Sequence, residues 1–254
     1  MATSFYDPGE QRGRKVNALF QQIAARYDLV NDLQSFGLHR RWKARVAELA
    51  KVRNGDRALD VCCGTGDICL TLARQGAEVI GLDFTNEMLQ RAQARPRPER
   101  SNEDLKSRSR NAFQRGIHFI RGDAQKIPFA DNAFDAVTVG YGLRNLADWR
   151  IGIREMTRVA KPGGRLVILE FGKPENAIWR SIYIAYLKIC VPSFGLLFFR
   201  NTSTYGYILE SLNHYPSQLE IAESMRRDGL ESVQVYNMLG GAMSIHYAQK
   251  ATNA

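Results

Sequence analysis

The sequence lacks the features that mark exported, disulfide-bonded or zinc-binding proteins. Its N-terminal segment, MATSFYDPGEQRGRK, has no apolar stretch, so a secretory signal is not expected. Four cysteines are too few for a disulfide framework in 254 residues, and none of them forms the paired CxxC units of a zinc site. We therefore interpret all four as small apolar residues of a cytoplasmic protein, and we expect no metal site.

A clean membrane-spanning segment is also missing. Residues 178–199 form the most apolar stretch, but Arg180, Lys188 and Pro192 interrupt it. We interpret this stretch as a helical insertion packed over a pocket. Charge is not lacking, because basic residues outnumber acidic ones and give a net charge of +9. Such an excess is typical of proteins that contact nucleic acid or an anionic membrane, and solubility alone also accounts for it.

Strand and helix patterns alternate regularly through the middle of the sequence, which predicts a parallel sheet with helices on both faces. The last two predicted strands are separated by a Gly-Gly turn, which predicts a C-terminal β-hairpin. We therefore expect an α/β fold with a seven-stranded, mostly parallel, doubly wound sheet. The strand patterns are at residues 58–63, 78–83, 116–123, 134–139, 165–170, 231–237 and 242–249.

We expect these elements to form one domain over residues 1–254, with four parts. They are an N-terminal helical cover (1–52), a ligand-binding core (53–171), a helical insertion over the substrate site (172–230) and the terminal strands (231–254). Residues 95–116 fit none of the elements, since they combine seven basic and three acidic residues with two prolines. A solvated, mobile loop is expected there, and a basic arm that touches membrane or RNA is the alternative.

A glycine-rich loop, Asp60-Val-Cys-Cys-Gly64-Thr65-Gly66-Asp67, joins the first predicted strand to a helix. Gly64 and Gly66 allow a tight turn and a close approach of the backbone to a ligand. Asp83 ends the next strand and is placed to accept hydrogen bonds from a ribose diol. The dinucleotide fingerprint fails, because Cys69 stands at its third glycine. We expect Asp67 to repel a pyrophosphate and to tolerate a zwitterionic ligand that carries a sulfonium.

A second motif, Gly122-Asp123-Ala124, follows the third predicted strand. The Asp123 carboxylate can accept from an exocyclic adenine amine, while the next backbone N–H meets a ring nitrogen. A surface turn is the alternative interpretation. However, carboxyl ends of parallel strands meet at one edge of a sheet, where this motif, the glycine loop and Asp83 would converge. Together they predict a nucleoside-binding site.

Further motifs resemble one family over about residues 17–250. The segments are Ile23-Ala-Ala-Arg-Tyr27-Asp28-Leu-Val-Asn31-Asp32, His39-Arg40-Arg41-Trp42-Lys43, Tyr141-Gly142-Leu143-Arg144-Asn145, Arg154-Glu155-Met156, Lys161-Pro162-Gly163-Gly164, Leu169-Glu170-Phe171 and Ser244-Ile245-His246. With them the sequence resembles the ubiquinone/menaquinone biosynthesis C-methyltransferases (UbiE/MenG type). The resemblance implies a class I, Rossmann-like fold, S-adenosyl-L-methionine as cofactor, and methyl transfer to a ring carbon of a prenylated quinol. It places cofactor contacts at Thr65, Asp83, Asp123 and Ala124, with Gly140 near the end of the fourth strand.

A quinol carbon becomes nucleophilic when the neighbouring hydroxyl loses its proton, so the enzyme needs an aligned methyl donor, a group that favours phenolate and dry surroundings. Arg144 is the candidate for phenolate stabilisation, and Asn145 could orient it. Tyr27, Asp28 and His246 are weaker candidates for proton handling. As alternatives, Arg144 anchors a loop and His246 is a satisfied structural histidine.

The favoured acceptor is a demethylmenaquinol-like naphthoquinol, and a benzoquinol of the ubiquinone path is the alternative. A polyprenyl tail needs an apolar groove, for which residues 178–199 supply aromatic material. A tRNA methyltransferase would use the basic charge, although no appended RNA-binding module is present. A non-catalytic binding protein would keep Asp83 without needing Arg144. We expect peripheral contact with an anionic membrane, and the sequence leaves a homodimer open.

Overall fold

The computed structural model describes residues 10–24, 27–96, 116–199 and 203–252; most of the predicted loop at 95–116 lies outside them. The described helices are α1 (Glu10–Ile23), α2 (Tyr27–Ser35), α3 (Leu38–Ala50), α4 (Asp67–Arg74), α5 (Asn86–Ala94), α6 (Trp149–Val159), α7 (Ala177–Phe199), α8 (Ser203–His214) and α9 (Gln218–Arg227). The strands are β1 (Arg57–Val61), β2 (Glu78–Asp83), β3 (Ile117–Arg121), β4 (Phe134–Gly140), β5 (Ala160–Phe171), β6 (Leu230–Met238) and β7 (Met243–Lys250).

The strands form one seven-stranded sheet in the order β3-β2-β1-β4-β5-β7-β6. Neighbouring strands from β3 to β5 pair in parallel, whereas β7 runs antiparallel to both β5 and β6. A short 3-10 turn, Leu239–Gly241, closes the β6–β7 hairpin, with Gly240 and Gly241 at positive φ. The predicted mostly parallel sheet with a C-terminal hairpin is confirmed.

The central strands are buried because helices cover both faces of the sheet. On one face, α3 and α4 contribute Val46 and Leu72 to a core that also contains Val79 of β2. On the other face, Ile153 of α6 and Ile221 of α9 pack over the strands. This double cover explains why the strand patterns read as continuous apolar runs rather than as alternating ones.

Two predicted boundaries are wrong. The first strand stops at Val61 and does not run through Cys62 and Cys63, because Cys62 has a φ of +54° that a strand cannot contain. The fifth strand begins at Ala160, and its pairing with β4 shifts register across the Lys-Pro-Gly-Gly turn. The capping box predicted at Ser217 is confirmed, with reciprocal hydrogen bonds to Glu220.

The chain between β5 and β6 leaves the sheet and returns as α7, α8 and α9. Tyr183 and Leu187 of α7 pack with Leu212 of α8 and Val30 of α2 in a separate small core. The insertion and the N-terminal helices therefore meet above the carboxyl ends of the strands. None of the helices in the described ranges combines the length and the apolar character that a bilayer span requires.

Candidate active site

The carboxyl ends of β1, β2, β3 and β4 surround a cavity of about 730 Å³, called here the polar cavity. This is the edge of a parallel sheet at which ligands bind. Helices α1 and α2 cover it with Asn17, Phe20 and Tyr27, among others. Five residues that the sequence proposed for cofactor binding line it together: Gly64, Asp83, Asp123, Ala124 and Gly140.

Asp83 is held rigidly at the floor of the polar cavity. One carboxylate oxygen accepts the Gly64 amide at 2.8 Å, and the other accepts the Thr85 amide at 2.8 Å. Burial raises the pKa of the carboxyl, while these backbone hydrogen bonds act in the opposite direction. Because each carboxylate oxygen has a second lone pair, the side chain can still accept two hydroxyls from a ligand.

Asp123 is fixed by the turn that follows β3. Its Oδ1 accepts the Gln125 amide at 2.8 Å, and a bridge to Lys126 closes the turn. The adjacent Ala124 is buried and packs with Ile127 in the core. The carboxylate and the backbone beside it are thus presented to the polar cavity in one orientation.

Two glycines lie where the backbone approaches the polar cavity. Gly64 has a φ of +54°, and a Cβ there would meet only Tyr27 Cε1, at 4.0 Å, so the space beside it is open. A Cβ on Gly140 would lie 2.8 Å from Ile68 Cδ1, the movable end of a flexible side chain. A side chain is thus disfavoured at Gly64 by backbone conformation, whereas at Gly140 a small side chain needs only a shift of Ile68.

Two of the residues proposed for cofactor binding, Thr65 and Gly66, do not line the polar cavity. Gly66 has a φ of +84° and serves the turn into α4. The Thr65 hydroxyl donates to Asp28 Oδ1 at 2.8 Å, which ties α2 to the loop. Asp28 itself lines neither this cavity nor the one described below. A scaffolding role fits Thr65 and Asp28 better than direct contact with a ligand.

Contrary to the sequence analysis, Asp67 does not repel a pyrophosphate, because its charge is neutralised. Its carboxylate is paired with Arg95 and, at 2.6 Å, with Lys43. Although burial raises the pKa of Asp67, these two cations hold it at about 2. Asp67 does not line the polar cavity and its charge is compensated there, so it repels nothing.

Other carboxylates exclude a pyrophosphate instead. Asp83, Asp123 and Asp148 line the polar cavity, and among the described residues Arg14 is the one basic side chain that lines it. A lining of this kind favours hydroxyl, amine and cationic groups over phosphates. The residues present therefore fit a nucleoside linked to a cationic sulfonium and an amino group.

A second, apolar cavity of about 320 Å³ adjoins the first. Phe20, Tyr27 and Tyr141 line both, so the two cavities meet at these rings. Helix α7 supplies Trp179, Ile182, Tyr183, Tyr186 and Leu187 to the wall, at the spacing of one helical face. Tyr141 has a φ of +62°, an uncommon backbone conformation for a bulky residue, directly after β4.

Arg144 lies in the wall of the apolar cavity and is 6% exposed. Its Nη1 donates to Glu170 Oε1 and to the Tyr141 carbonyl, both at 2.7 Å, and its guanidinium stacks 4.7 Å from the Phe171 ring centre. Glu170 is fully buried. The sequence analysis missed this partner, although an acid within the apolar strand Leu-Val-Ile-Leu-Glu-Phe was a signal for it.

Asn145 faces the other cavity. It lines the polar cavity, and its Nδ2 donates to the same Tyr141 carbonyl at 3.1 Å. Arg144 and Asn145, which line different cavities, therefore donate to the same carbonyl oxygen at the junction. Tyr27 also lies at the junction, and burial raises the pKa of its hydroxyl, which keeps the phenol neutral.

The structure does not bring His246 to this place. It is fully buried in β7, lines neither cavity, and donates from Nε2 to the Gln218 carbonyl at 3.0 Å. Burial lowers its pKa to about 4. A structural role therefore fits His246 better than a role in proton handling.

With this geometry in place, comparisons with known proteins are informative. The model described as the ubiE/COQ5 methyltransferase family matches residues 8–250. The ubiquinone/menaquinone biosynthesis C-methyltransferase UbiE of Azotobacter vinelandii is 39% identical over 250 residues, which cover 96% of this chain and 92% of that protein. A demethylmenaquinone methyltransferase of Staphylococcus aureus is 35% identical over 239 residues, 93% of each chain.

Solved structures agree on the fold. A putative methyltransferase bound to the Trm112 activator of Haloferax volcanii matches with a TM-score of 0.63 at 17% identity, covering 91% of this chain and 97% of that one. The [4+2]-cyclase SpnF matches with a TM-score of 0.58 at 19% identity, covering 95% and 97%. The sheet and its helices are those of class I methyltransferases.

Proposed function

The chain belongs to the ubiE/COQ5 methyltransferase family, and on that premise we propose that it methylates a ring carbon of a prenylated naphthoquinol of the demethylmenaquinol type. It is an S-adenosyl-L-methionine-dependent C-methyltransferase of quinone biosynthesis. The observation that carries the proposal is the junction at Tyr27 and Tyr141, where a polar cavity suited to the donor opens onto an apolar cavity suited to the acceptor.

The polar cavity holds the donor, which when bound supplies an electrophilic methyl group on a sulfonium. Asp83 accepts hydrogen bonds from the ribose hydroxyls, and Asp123 with the backbone at Ala124 binds the adenine edge. Gly64 and Gly140 keep the backbone close to the ligand. The carboxylates of the lining also favour the positive charge of the donor over a neutral product.

The apolar cavity holds the acceptor ring and the start of its tail. Its walls include Trp42, Phe171 and Tyr183, which match a second fused ring better than the methoxy groups of a benzoquinol. The apolar wall disfavours water around the ring, and the developing phenolate is therefore stabilised by the few polar groups present. This feature favours the naphthoquinol over the benzoquinol.

Arg144 is our proposed electrostatic partner of the phenolate. Its charge is shared with Glu170, so its effect on the ring oxygen is that of an oriented ion pair rather than of a lone cation. Tyr141 lines the same cavity, and its buried hydroxyl has no hydrogen-bond partner among the described residues, so it is available to donate to the same oxygen. Burial raises the pKa of this hydroxyl far above the usual value and keeps it protonated. Asn145 donates to the Tyr141 carbonyl, which also accepts from Arg144, and so helps to fix the backbone that carries Tyr141.

A competition assay tests the acceptor. Purified protein receives isotopically labelled donor and an equimolar mixture of prenylated naphthoquinol and benzoquinol, both kept reduced, and products are identified by mass spectrometry. Preferential labelling of the naphthoquinol supports the proposal. Preferential labelling of the benzoquinol assigns the chain to the ubiquinone path, and label recovered only in added tRNA would contradict both.

We also propose that the protein docks on anionic membranes at the mouth of the apolar cavity. Four residues of the cavity lining are exposed at this mouth: Phe36, Trp179, Ile182 and Leu239. Phe36 is 79% exposed, and its φ of +51° is a conformation rarely adopted without a reason.

Helix α7 continues this surface. Ile178, Ile182 and Ile189 are exposed at positions that share one helical face, and Arg180 and Lys188 are exposed on the same helix. Apolar residues beside cations are typical of helices that lie in the membrane interface. An acceptor whose tail is embedded in lipid could then enter the cavity without crossing water.

Vesicle co-sedimentation tests the docking surface. The protein should bind vesicles that contain phosphatidylglycerol and leave them as salt rises, since exposed charges are screened. Phe36→Asp should weaken binding at least about tenfold, because a charge replaces apolar area that the membrane would bury. Asn54→Asp is the matched control, since it adds the same charge at the amino end of β1, opposite the cavities. Equal binding by both variants would contradict the proposal.

A further inference from the structure

Several buried polar atoms in the wall of the apolar cavity have no hydrogen-bond partner among the described residues. They include Nδ1 of His39, Nε2 of Gln34 and Oη of Tyr141. A buried polar group that lacks a hydrogen bond destabilises the folded protein. Three of them around one cavity indicate that a ligand with polar atoms of its own completes their hydrogen bonds.

His39 differs from the other two because a carboxylate fixes its ring. Its side chain is 4% exposed, and its Nε2 lies 2.8 Å from Asp32 Oδ1. Asp32 also accepts from Arg40 Nε at 2.7 Å and from Arg40 Nη2 at 2.6 Å. These hydrogen bonds hold the pKa of Asp32 well below its usual value, so the carboxylate stays ionised. The proton of the His39 ring therefore resides on Nε2, and Nδ1 carries the lone pair.

The protonation state of His39 suits a base. Burial lowers its pKa, and the hydrogen bond to Asp32 acts in the opposite direction without reversing the shift. The imidazole is thus neutral near neutral pH, with one nitrogen on a carboxylate and the other unpaired. General bases that accept a proton from a hydroxyl have this arrangement.

His39 lies in the wall of the cavity that we assign to the acceptor ring, together with Tyr27 and Tyr141 of the junction. Its Nδ1 is the buried ring nitrogen without a partner among the described residues. Nδ1 is therefore the atom of this side chain that is available to a ligand in the apolar cavity.

No other described residue of the apolar cavity lining offers a basic nitrogen. Burial raises the pKa values of Tyr27, Tyr141 and Tyr183, so these hydroxyls act as donors. Arg144 remains protonated and is paired with Glu170. A proton that leaves the acceptor in this cavity has His39 as its destination.

We propose that His39 removes the proton from the ring hydroxyl of the acceptor, and that Asp32 is its positioning residue. The inference rests on the proposed function, since it names the base for that reaction. This proposal gives Asp32 and His39, two residues of the N-terminal helical cover, a role in the reaction.

The O–H bond of the ring hydroxyl breaks, its electron pair stays on oxygen, and the proton forms an N–H bond with Nδ1. The neighbouring ring carbon then accepts the methyl group, while the electron pair of the broken S–C bond remains on sulfur. The oxygen then recovers its proton from His39, the ring carbon loses its hydrogen as a proton to the freed Nδ1, and His39 releases that proton to solvent, so one proton is released per turnover.

Steady-state kinetics with reduced naphthoquinol test the proposal. His39→Gln keeps an amide N–H for Asp32 but lacks a base, and its kcat should fall about 10²-fold or more. Its affinity for the demethylated donor product should stay within about twofold of wild type. His214→Gln is the matched control, because this exposed histidine lies on α8, outside both cavities, and its kcat should not change.

The pH dependence separates a base from a structural residue. The charged or titratable groups around His39 are Asp32 on α2, Arg40 and Lys43 on α3, Asp67 on α4 and, across the cavity, Tyr27, Tyr141, Arg144, Glu170, Tyr183 and Tyr186. The kcat of wild type should reach a plateau above the lowered pKa of His39. The kcat of His39→Gln should keep rising with pH, since hydroxide replaces the missing base, so its deficit shrinks.

Two further variants keep the test decisive. Asp32→Asn should move the acid limb of the wild-type pH profile to lower pH, because His39 loses the carboxylate that raises its pKa. Added imidazole should restore part of the activity of His39→Ala. A normal kcat in His39→Gln, or a deficit that is constant with pH and not rescued, overturns the proposal. If wild type binds the donor product but methylates no quinol, the proposed function itself has failed.

Discussion

The two cavities that meet at Tyr27 and Tyr141 are built on opposite principles. In the polar cavity, Asp83 and Asp123 have their carboxylates oriented by backbone amides of the loops at the strand ends. In the apolar cavity, polar atoms of His39 and Gln34 are buried without protein partners. One site is completed before its ligand arrives, whereas the other is completed by it.

The difference follows from where each wall comes from. Loops after parallel strands converge whatever the sequence of the helices, so the sheet positions the polar cavity. Most of the apolar cavity wall comes from α1, α2, α3 and α7, none of which connects neighbouring parallel strands. Donor binding should therefore depend on single residues of the loops, and acceptor chemistry on contacts between added helices.

The largest effect is expected from Asp83→Ala. The variant removes the carboxylate that accepts from the ribose, and affinity for the demethylated donor product should fall by about 2–4 kcal/mol. Isothermal calorimetry measures the loss. Asp131→Ala, which removes a carboxylate with a 68% exposed side chain, should bind as wild type does. Normal affinity in a folded Asp83→Ala protein would remove this residue from the polar cavity site.

Arg144→Ala should lower kcat about 10²-fold with little change in donor affinity, as expected when an electrostatic donor to the transition state is lost. It should also lower the free energy of unfolding by about 3–5 kcal/mol, because Glu170 remains buried without its cation. Arg144→Lys should recover only part of the rate, since a point charge cannot reproduce the planar fork.

A double variant separates the two effects of Arg144. Arg144→Met with Glu170→Gln removes both charges and should regain stability in chemical denaturation without regaining kcat. Recovery of kcat together with stability would mean that Arg144 only anchors the loop. The apolar cavity would then lack its proposed electrostatic partner for the phenolate.

Trp179→Ala should affect acceptor binding and leave donor binding unchanged. The indole lines the apolar cavity and donates to the Leu239 carbonyl at 2.7 Å, so its loss opens the wall around the tail. We expect KM for a long-tailed acceptor to rise several-fold while kcat is nearly unchanged, which is the signature of lost uniform binding. An equal effect on a tail-less ring would show that Trp179 contacts the head instead.

The smallest effect concerns the strand beneath the polar cavity. Burial raises the pKa of Asp60 from 3.8 to about 7, despite hydrogen bonds from Thr138 and Cys69 that lower it. Because the folded pKa is the higher one, stability from this group is full below about pH 4 and is lost as pH rises through about 7. Asp60→Asn should flatten the fall in Tm over this window. An unchanged profile would contradict a raised pKa.

The sequence predicts most residues of the polar cavity but few contacts of the apolar one, for a physical reason. Gly64, Asp83 and Asp123 each stand at a strand end, and spacing along the chain is enough to bring them together. The pairing of Arg144 with Glu170, and of Asp67 with Lys43 and Arg95, joins distant positions. No local pattern encodes such partners, so the charge on Asp67 was misjudged.

Helix positions show the same limit. Asp32 and His39 both belong to N-terminal segments that resemble the family. Their contact, however, forms only because the turn at Phe36 and Gly37 folds α2 against α3. His246 was selected from its motif, but the alternation of side chains along β7 buries it beneath α9. In both cases packing between elements decided what the side chain could do.

The hydrogen bond from Thr65 to Asp28 has a thermodynamic consequence. It joins the glycine loop, which borders one ligand, to α2, which borders the other. A ligand that further restricts the loop also restricts α2, so we expect the second ligand to lose less conformational entropy when it binds. Linkage makes the effect reciprocal, and each ligand then tightens the other by the same factor. We therefore expect donor and acceptor to saturate the protein cooperatively through this one side-chain contact.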